Sequence, residues 1–344
     1  MNIAIVFGAQ SFEHEISIVS SIAMKDVLKC DLTYIFVDQN REFYHIPTQS
    51  ITSKVFSSSA YAKEDKLFLQ QGGFFKKSFL GTKPLEFDTV LNLTHGGDGE
   101  DGVLAALFEF YSIPFIGPGV EACSISSNKF LTKGYAHSIG VNTLEYQYFC
   151  KGDDITIAQY PVIIKPVRLG SSIGVSIVKS SQELDYALDV AFEFDDAIIA
   201  ETFVKDIKEY NLAGTKINGE FQFSIVEEPQ KNEFLDFDKK YLDFTRTSRV
   251  SKADISDDLE QKLRQNFEKV YNTLFEGSII RCDFFVIDDT VYLNEINSIP
   301  GSMANYLFDD FNGLLMDVAY HLRKKSPIKV TYDYVNKIQS AKGK

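Results

Sequence analysis

Arg281-Cys282-Asp283 and, after a short apolar stretch, Glu295-Ile296-Asn297-Ser298-Ile299-Pro300-Gly301 decide how this chain is read. Residues 279–287 and 291–297 have strand character and flank Asp288-Asp289-Thr290, a turn-type triplet that suits a hairpin. With all three residues in the loop, Ile287 faces Val291, which sets Asp283 opposite Glu295 and Arg281 opposite Asn297. Side chains alternate across a strand, so the four polar groups share one face of the ribbon. Two carboxylates and an amide oxygen are hard ligands of the kind Mg²⁺ accepts. A guanidinium beside them would stabilise charge on a transferring phosphoryl group. A two- or four-residue loop would send Glu295 and Asn297 to the face away from Asp283. The competing reading is a surface ribbon with solvated charges. It is weaker, because these polar groups interrupt an otherwise apolar pair of strands.

The remaining sequence narrows the class. At 344 residues the chain is long enough for two or three packed units. Its 44% hydrophobic and 24% charged content is that of a soluble globular protein. The net charge of −13 argues against nucleic acid or an anionic membrane as main partner, although local Lys and Arg could still cradle a nucleotide. Cys30, Cys123, Cys150 and Cys282 are scattered, without a CxxC pair, which fits buried reduced thiols in a cytosolic protein. The N-terminus runs straight into an apolar strand with no signal-peptide features, and no apolar run reaches membrane-spanning length. The expected location is cytoplasmic.

Periodicity gives an α/β opening. Residues 3–7 read as a buried strand, 8–11 as a turn, 16–28 as a helix, 33–37 as a second strand and 88–93 as a third. Residues 38–82 read as a peripheral insertion. A helix near 128–139 precedes a strand at 161–166, a loop at 168–174, a strand at 175–179 and a helix capped by Ser180 or Ser181, with Glu183 at a capping-box offset. Beyond 201 come further strands, a charged loop at 236–253, a helix at 259–274 and the acidic ribbon. Neither an internal repeat nor a low-complexity tract is found.

Several motifs carry chemistry. Pro161-Val162-Ile163-Ile164-Lys165-Pro166 leads into Arg168-Leu169-Gly170-Ser171-Ser172-Ile173-Gly174 and another strand. Such a loop can lay backbone N–H groups over phosphates, with Lys165 as a cation. It is not a Walker A loop, since no GK[ST] follows and a strand comes next. A plain hairpin turn is the alternative; beside the acidic ribbon, ATP held between two antiparallel elements is preferred. Glu13-His14-Glu15 opens a helix, where capping alone could explain one glutamate. At the carboxyl end of a strand these glutamates also suit a substrate ammonium. His95 ends the third strand in His95-Gly96-Gly97-Asp98-Gly99-Glu100-Asp101-Gly102 and could be a satisfied turn histidine. Lys239-Lys240-Tyr241, with Arg246, Arg249 and Lys252, reads as a solvated basic loop or as a lid over phosphates.

Together these motifs resemble the D-alanine–D-alanine ligase family of ATP-grasp enzymes, in order along nearly the whole chain. Gly8 to Ser17 resembles the family's first motif, in which Glu13 would contact the first D-alanine's ammonium. His95–Gly102 matches the HGxxGEDG turn, and Arg168–Gly174 matches REGSSxG with Leu169 in place of glutamate. The resemblance implies an N-terminal Rossmann-like α/β domain (1–117) and two ATP-grasp subdomains (118–200 and 201–344) that sandwich ATP. It implies ATP contacts from Lys129, Lys165, Ser171, Ser172 and Lys240, with Glu201 at the adenine and Glu209 at the ribose. Asp283, Glu295 and Asn297 would hold two Mg²⁺ or Mn²⁺. Arg281 and Gly301 would serve the oxyanion and bind substrate together with Glu13 and His95. Residues 235–241 are similar to the YDYxAKY lid, so Tyr241 would join Ser171 and Glu13 in a hydrogen-bonded chain. Two departures stand out: Ala9 replaces a glycine, and Ser302-Met303-Ala304-Asn305-Tyr306-Leu307 replaces the usual FTxxS or MTxxS. Tyr306 or a backbone N–H would then hold the second substrate's carboxylate.

The implied reaction is ATP-dependent ligation of two D-alanines through an acyl phosphate, for peptidoglycan precursors, by a cytoplasmic homodimer acting on small molecules. Within the family the rival is a D-alanine–D-lactate ligase, disfavoured by Tyr241, where depsipeptide formers tend to carry phenylalanine. A non-catalytic ATP-grasp nucleotide binder would have lost Arg281 or a metal ligand. A nicotinamide dehydrogenase fails for want of GxGxxG after Gly8.

Overall fold

The computed structural model describes residues 1–229, 250–322 and 328–341. The strand Asn2–Gly8 is apolar on both faces and lies inside a sheet, parallel to Asp31–Val37 on one side and Thr89–Asn92 on the other. Ile3, Ile5 and Phe7 point to a core shared with Ile18 and Met24 of the helix His14–Val27. Ala4 and Val6 point oppositely, to Leu104 and Phe108 of the helix Val103–Phe110.

Residues 38–82, expected as a peripheral insertion, instead extend this sheet. Phe43–Ile46, Asp65–Gln70, Gly73–Ser78 and Gly81–Pro84 continue it as four antiparallel strands beyond Asp31–Val37. Their short length and mixed polarity hid them, since edge strands need no continuous apolar run. Between the first two, Phe56 and Tyr61 pack on Phe36 with ring centroids 4.8 and 4.7 Å apart, so the segment also builds a wall near the site.

The second sheet is antiparallel, in the order Ser176–Val178, Val162–Pro166, Ala197–Thr202, Tyr146–Cys150. Val162 and Ile164 face the helix Leu184–Phe192, and period-two alternation turns Ile163 and Lys165 the other way. The third sheet runs Glu220–Glu227, Lys208–Ile217, Ile280–Ile287, Thr290–Asn297 and packs on the helix Asp257–Tyr271. Cores cross the chain order twice. Ala136, from the helix Lys129–Ser138, packs with Phe267 of the third unit, and Phe311, Leu315 and Val318 join the core of the first.

The acidic ribbon corrects one expectation and keeps its consequence. The loop holds two residues rather than three: Asp288 and Asp289 both have positive φ, 45° and 59°, and Ile287 pairs with Thr290. That shift alone would have sent Glu295 to the wrong face. A bulge between Phe284↔Leu293 and Asp283↔Glu295 takes up Asn294 and restores the register, so Arg281 still lies opposite Asn297.

All four cysteines are free thiols; Cys123 and Cys282 are buried as expected, whereas Cys150 is exposed. Among the described residues no helix is long and apolar enough to cross a membrane.

Candidate active site

A cavity of about 1120 Å³ is walled by all three units: the 9–15 loop, the glycine-rich turn after His95, the start of the helix Lys129–Ser138, the 168–173 loop, and Asn294 to Asn297. Glu13 sits at the N-terminus of its helix without a side-chain capping bond, so capping does not account for it. Its Oε1 instead accepts from the Ser171 hydroxyl, joining the first unit to the second. Gly96 makes room for this carboxylate: a Cβ there would stand 2.5 Å from Glu13 Oε2, on backbone with φ +62°. Burial pushes the Glu13 carboxyl up, Ser171 eases it and Glu295 raises it further. Glu100, partly buried on the cavity wall, is pushed up to about 8 by desolvation first and then by Glu13.

His95 is buried and does not line the cavity. Its Nδ1 donates to the Ile299 carbonyl at 3.0 Å, and its Nε2 lies 3.0 Å from the Ser20 hydroxyl. Burial drives its pKa down to about 4, so the ring is neutral. It fastens the glycine-rich turn to the helix His14–Val27 and to the strand end that leads into Gly301.

In the 168–174 loop Ser171 and Ser172 both take left-handed backbone, φ 52° and 59°. Lys129 Nζ donates to the Leu169 carbonyl, so the residue standing in for a glutamate contributes its backbone. Deeper in, Glu201 is almost fully buried between two lysines: Lys165 Nζ lies 2.9 Å from Oε1 and Lys133 Nζ 2.5 Å from Oε2. Burial alone would raise the Glu201 carboxyl, but the two ammonium groups hold it below its ordinary value.

On the ribbon, Arg281 grips Asp283 with Nε on Oδ1 at 2.7 Å and Nη2 on Oδ2 at 2.8 Å. Asn297 Nδ2 donates to the same Oδ2 at 2.9 Å. Burial raises Asp283 to about 6 against the pull of Arg281, and neighbouring Glu295 adds to the rise. Two adjoining carboxyls that disfavour one another's ionisation, with an amide beside them, suit a divalent cation. Lys165 reaches Asn294 Oδ1 at 3.4 Å, so the bulge residue ties the ribbon to the second sheet. Tyr306 is buried next to Arg281, whose charge partly offsets the rise that burial causes in the phenol. Gly301 opens a tight turn in which Ser302, Met303 and Ala304 all take left-handed backbone.

Not every expected residue converges. Glu209 sits on Lys208–Ile217 opposite Phe285, and like Lys165, Ser171, Ser172, Glu201, Arg281, Asp283, Gly301 and Tyr306 it does not line the cavity. Lys240, Tyr241 and most of the expected lid lie outside the described residues.

Residues 2–118 match the family described as D-ala D-ala ligase N-terminus, and residues 136–310 match D-ala D-ala ligase C-terminus. The chain belongs to the D-alanine–D-alanine ligase family. A D-alanine–D-alanine ligase of Wolinella succinogenes is 58% identical over 100% of both chains. The solved D-alanine–D-alanine ligase of Helicobacter pylori is 48% identical, covering 95% of this chain and 100% of that one, with a TM-score of 0.85. The VanG D-Ala:D-Ser ligase of Enterococcus faecalis is 25% identical over 92% of this chain and 98% of its own, with a TM-score of 0.74. The ATP-grasp architecture expected from the motifs is therefore the fold of this D-alanine–D-alanine ligase family member.

Sequence reading missed three residues around the site: Lys133, Glu100 and Asn294. Lys133 left a faint signal, since it follows Lys129 by one helical turn and shares its face. Glu100 was visible only as part of a turn motif, and Asn294 not at all.

Proposed function

We propose that this chain uses ATP to join two D-alanines into D-alanyl-D-alanine, releasing ADP and phosphate. The observation that carries the reading is Glu13 on the cavity wall, hydrogen-bonded to Ser171 of the glycine-rich loop and within electrostatic reach of Glu295, which lines the same cavity from the ribbon. A carboxylate oxygen of the first D-alanine attacks the γ-phosphorus, and the bond from phosphorus to the ADP oxygen breaks. The second D-alanine's amine, having lost a proton, attacks the acyl carbon, and the carbon–oxygen bond to phosphate breaks as the peptide forms.

In this reading Glu13 binds the first ammonium, and Ser171 and Tyr241 complete a chain that closes the lid. Arg281 and the Gly301 N–H face the developing oxyanion. Tyr306, close to Arg281, takes the second carboxylate. Lys129, Lys165, Ser171, Ser172 and Lys240 serve the phosphates, Glu201 the adenine and Glu209 the ribose. His95 acts from behind the wall, by holding the turn that shapes the Glu13 pocket. Asp283, Glu295 and Asn297 would hold two Mg²⁺ or Mn²⁺, which supply charge neutralisation at the phosphates. The units divide at 117 and 200, and the protein works as a cytoplasmic homodimer on small molecules alone, without nucleic acid or membrane. Tyr241 favours an amine acceptor over D-lactate, and the presence of Arg281 with every expected metal ligand disfavours a non-catalytic nucleotide binder.

The test is phosphate release from ATP and Mg²⁺ with D-alanine alone, D-alanine with D-lactate, or L-alanine. Release with D-alanine accompanied by dipeptide is the expected result; release that requires D-lactate would overturn the assignment.

A further inference from the structure

Lys133 has no role in the reading above, yet its surroundings define one. Its side chain is 2% exposed, on the helix Lys129–Ser138. The ammonium meets Glu201 Oε2 at 2.5 Å, the Leu144 carbonyl at 3.4 Å and the Tyr146 ring at 5.2 Å from its centroid. Lys165 occupies the other oxygen, Oε1, and also reaches Asn294. One buried carboxylate is thus divided between two lysines that are not equivalent. Lys165 is 12% exposed and borders the catalytic ribbon, whereas Lys133 is enclosed and has one carboxylate partner.

We propose that Lys133 is a positioning residue for the nucleobase: it fixes Oε2 of Glu201, leaving Oε1 as an acceptor exchanged between Lys165 and the exocyclic amine of a purine. The proposal rests on the assignment of Glu201 to the adenine edge. When Lys165 turns toward phosphate, Glu201 loses one counter-charge in a buried site. Lys133 then keeps it ionised and acceptor-only, the state that receives an N–H. Without Lys133, Glu201 either retains Lys165 or takes up a proton. A protonated carboxyl presents an O–H, which suits a carbonyl at that purine position as well as an amine.

The experiment compares ATP with ITP, which carries a carbonyl in place of the amine, in the full-length enzyme. Lys133→Gln should raise the KM for ATP about tenfold and lower the ATP-over-ITP preference in kcat/KM about tenfold, because a buried charged partner is lost. KM for D-alanine should stay unchanged, and Lys133→Arg should restore most of the preference. Unchanged ATP KM and unchanged preference in Lys133→Gln would overturn the proposal. Should that variant fail to fold, Glu201→Gln and the Lys133→Gln/Glu201→Gln pair carry the test, since neither leaves a buried carboxylate unpaired. Equal nucleotide parameters in these two support action through Glu201; a further tenfold loss in the pair overturns it. If Glu201→Gln alone keeps the preference for ATP, the fault lies with the placement of Glu201 at the base.

Discussion

At the Glu201 end of the site two lysines share one carboxylate, whereas at the Glu13 end Glu13, Glu100, Asp283 and Glu295 gather around Lys129 and Arg281. The first cluster holds its carboxyl below the ordinary value, and in the second Glu13, Glu100 and Asp283 are pushed above it. Glu201 is enclosed between its two lysines, whereas Glu13, Glu100 and Glu295 border the cavity with fewer cations than carboxyls around them, so the count of opposing charges separates the two ends. A cluster with its cations in place is prebuilt and needs only exchange of partners. A cluster with surplus carboxyls gains most from incoming positive charge, such as the substrate ammonium and divalent cations proposed for it above.

The largest expected effect strikes the acid-rich end. Glu295→Gln keeps volume but removes one negative charge, and turnover should fall by a factor of about 100 or more while circular dichroism stays native. Near-normal turnover at saturating Mg²⁺ would break the comparison. Next comes Gly96→Ala, whose methyl would press on Glu13 Oε2 and on Ser11 Oγ at 2.6 Å, in left-handed backbone. It should lower stability by about 1–3 kcal/mol and raise the first-site KM for D-alanine about tenfold or more, with ATP binding little changed.

Acidity sharpens the contrast further. Glu100 releases its proton near pH 4.5 when unfolded but only near 8 when folded. Between those values the folded state holds a proton that the unfolded state has lost, so stability falls as pH rises. For this one group the slope is at most about 1.4 kcal/mol per pH unit. Glu100→Gln should flatten the denaturation midpoint between pH 5 and 8 in metal-free protein; an unchanged slope would show that Glu100 does not hold that proton. The smallest effect is expected at Arg41, whose Nε and Nη2 both lie 2.9 Å from the buried carboxylate of Asp98. Arg41 is 58% exposed, so Arg41→Ala should raise the first-site KM only about twofold. A loss as large as that of Gly96→Ala would mean the turn is held from outside, by Arg41, more than by its glycines.

Much of this site was legible because its chemistry is concentrated in short motifs. Arg281, Asp283, Glu295 and Asn297 are polar residues in apolar strands, and Glu13 and Ser171 lie in short polar motifs that follow apolar strands, where such residues stand out. His95 shows the opposite limit: the sequence marks the position, but its hydrogen bonds to Ser20 and Ile299 come from elements distant along the chain. The 38–82 stretch was misjudged because its strands are short and half-solvated, and only the pairing of Asp31–Val37 with Phe43–Ile46 makes it part of the sheet.

The chain's own order of residues determined the motif succession, the alternating faces of the strands and the chemical types gathered at the site, since these follow from local periodicity and residue chemistry. Tertiary structure alone decided that Asp288-Asp289 closes the hairpin and that Asn294 bulges to bring Glu295 back beside Asp283. It also decided that Lys133 and Lys165 divide Glu201 between them. A bulge has no compositional mark, and a buried charge chooses its partner only when packing removes water, so neither could be read before the cores had formed.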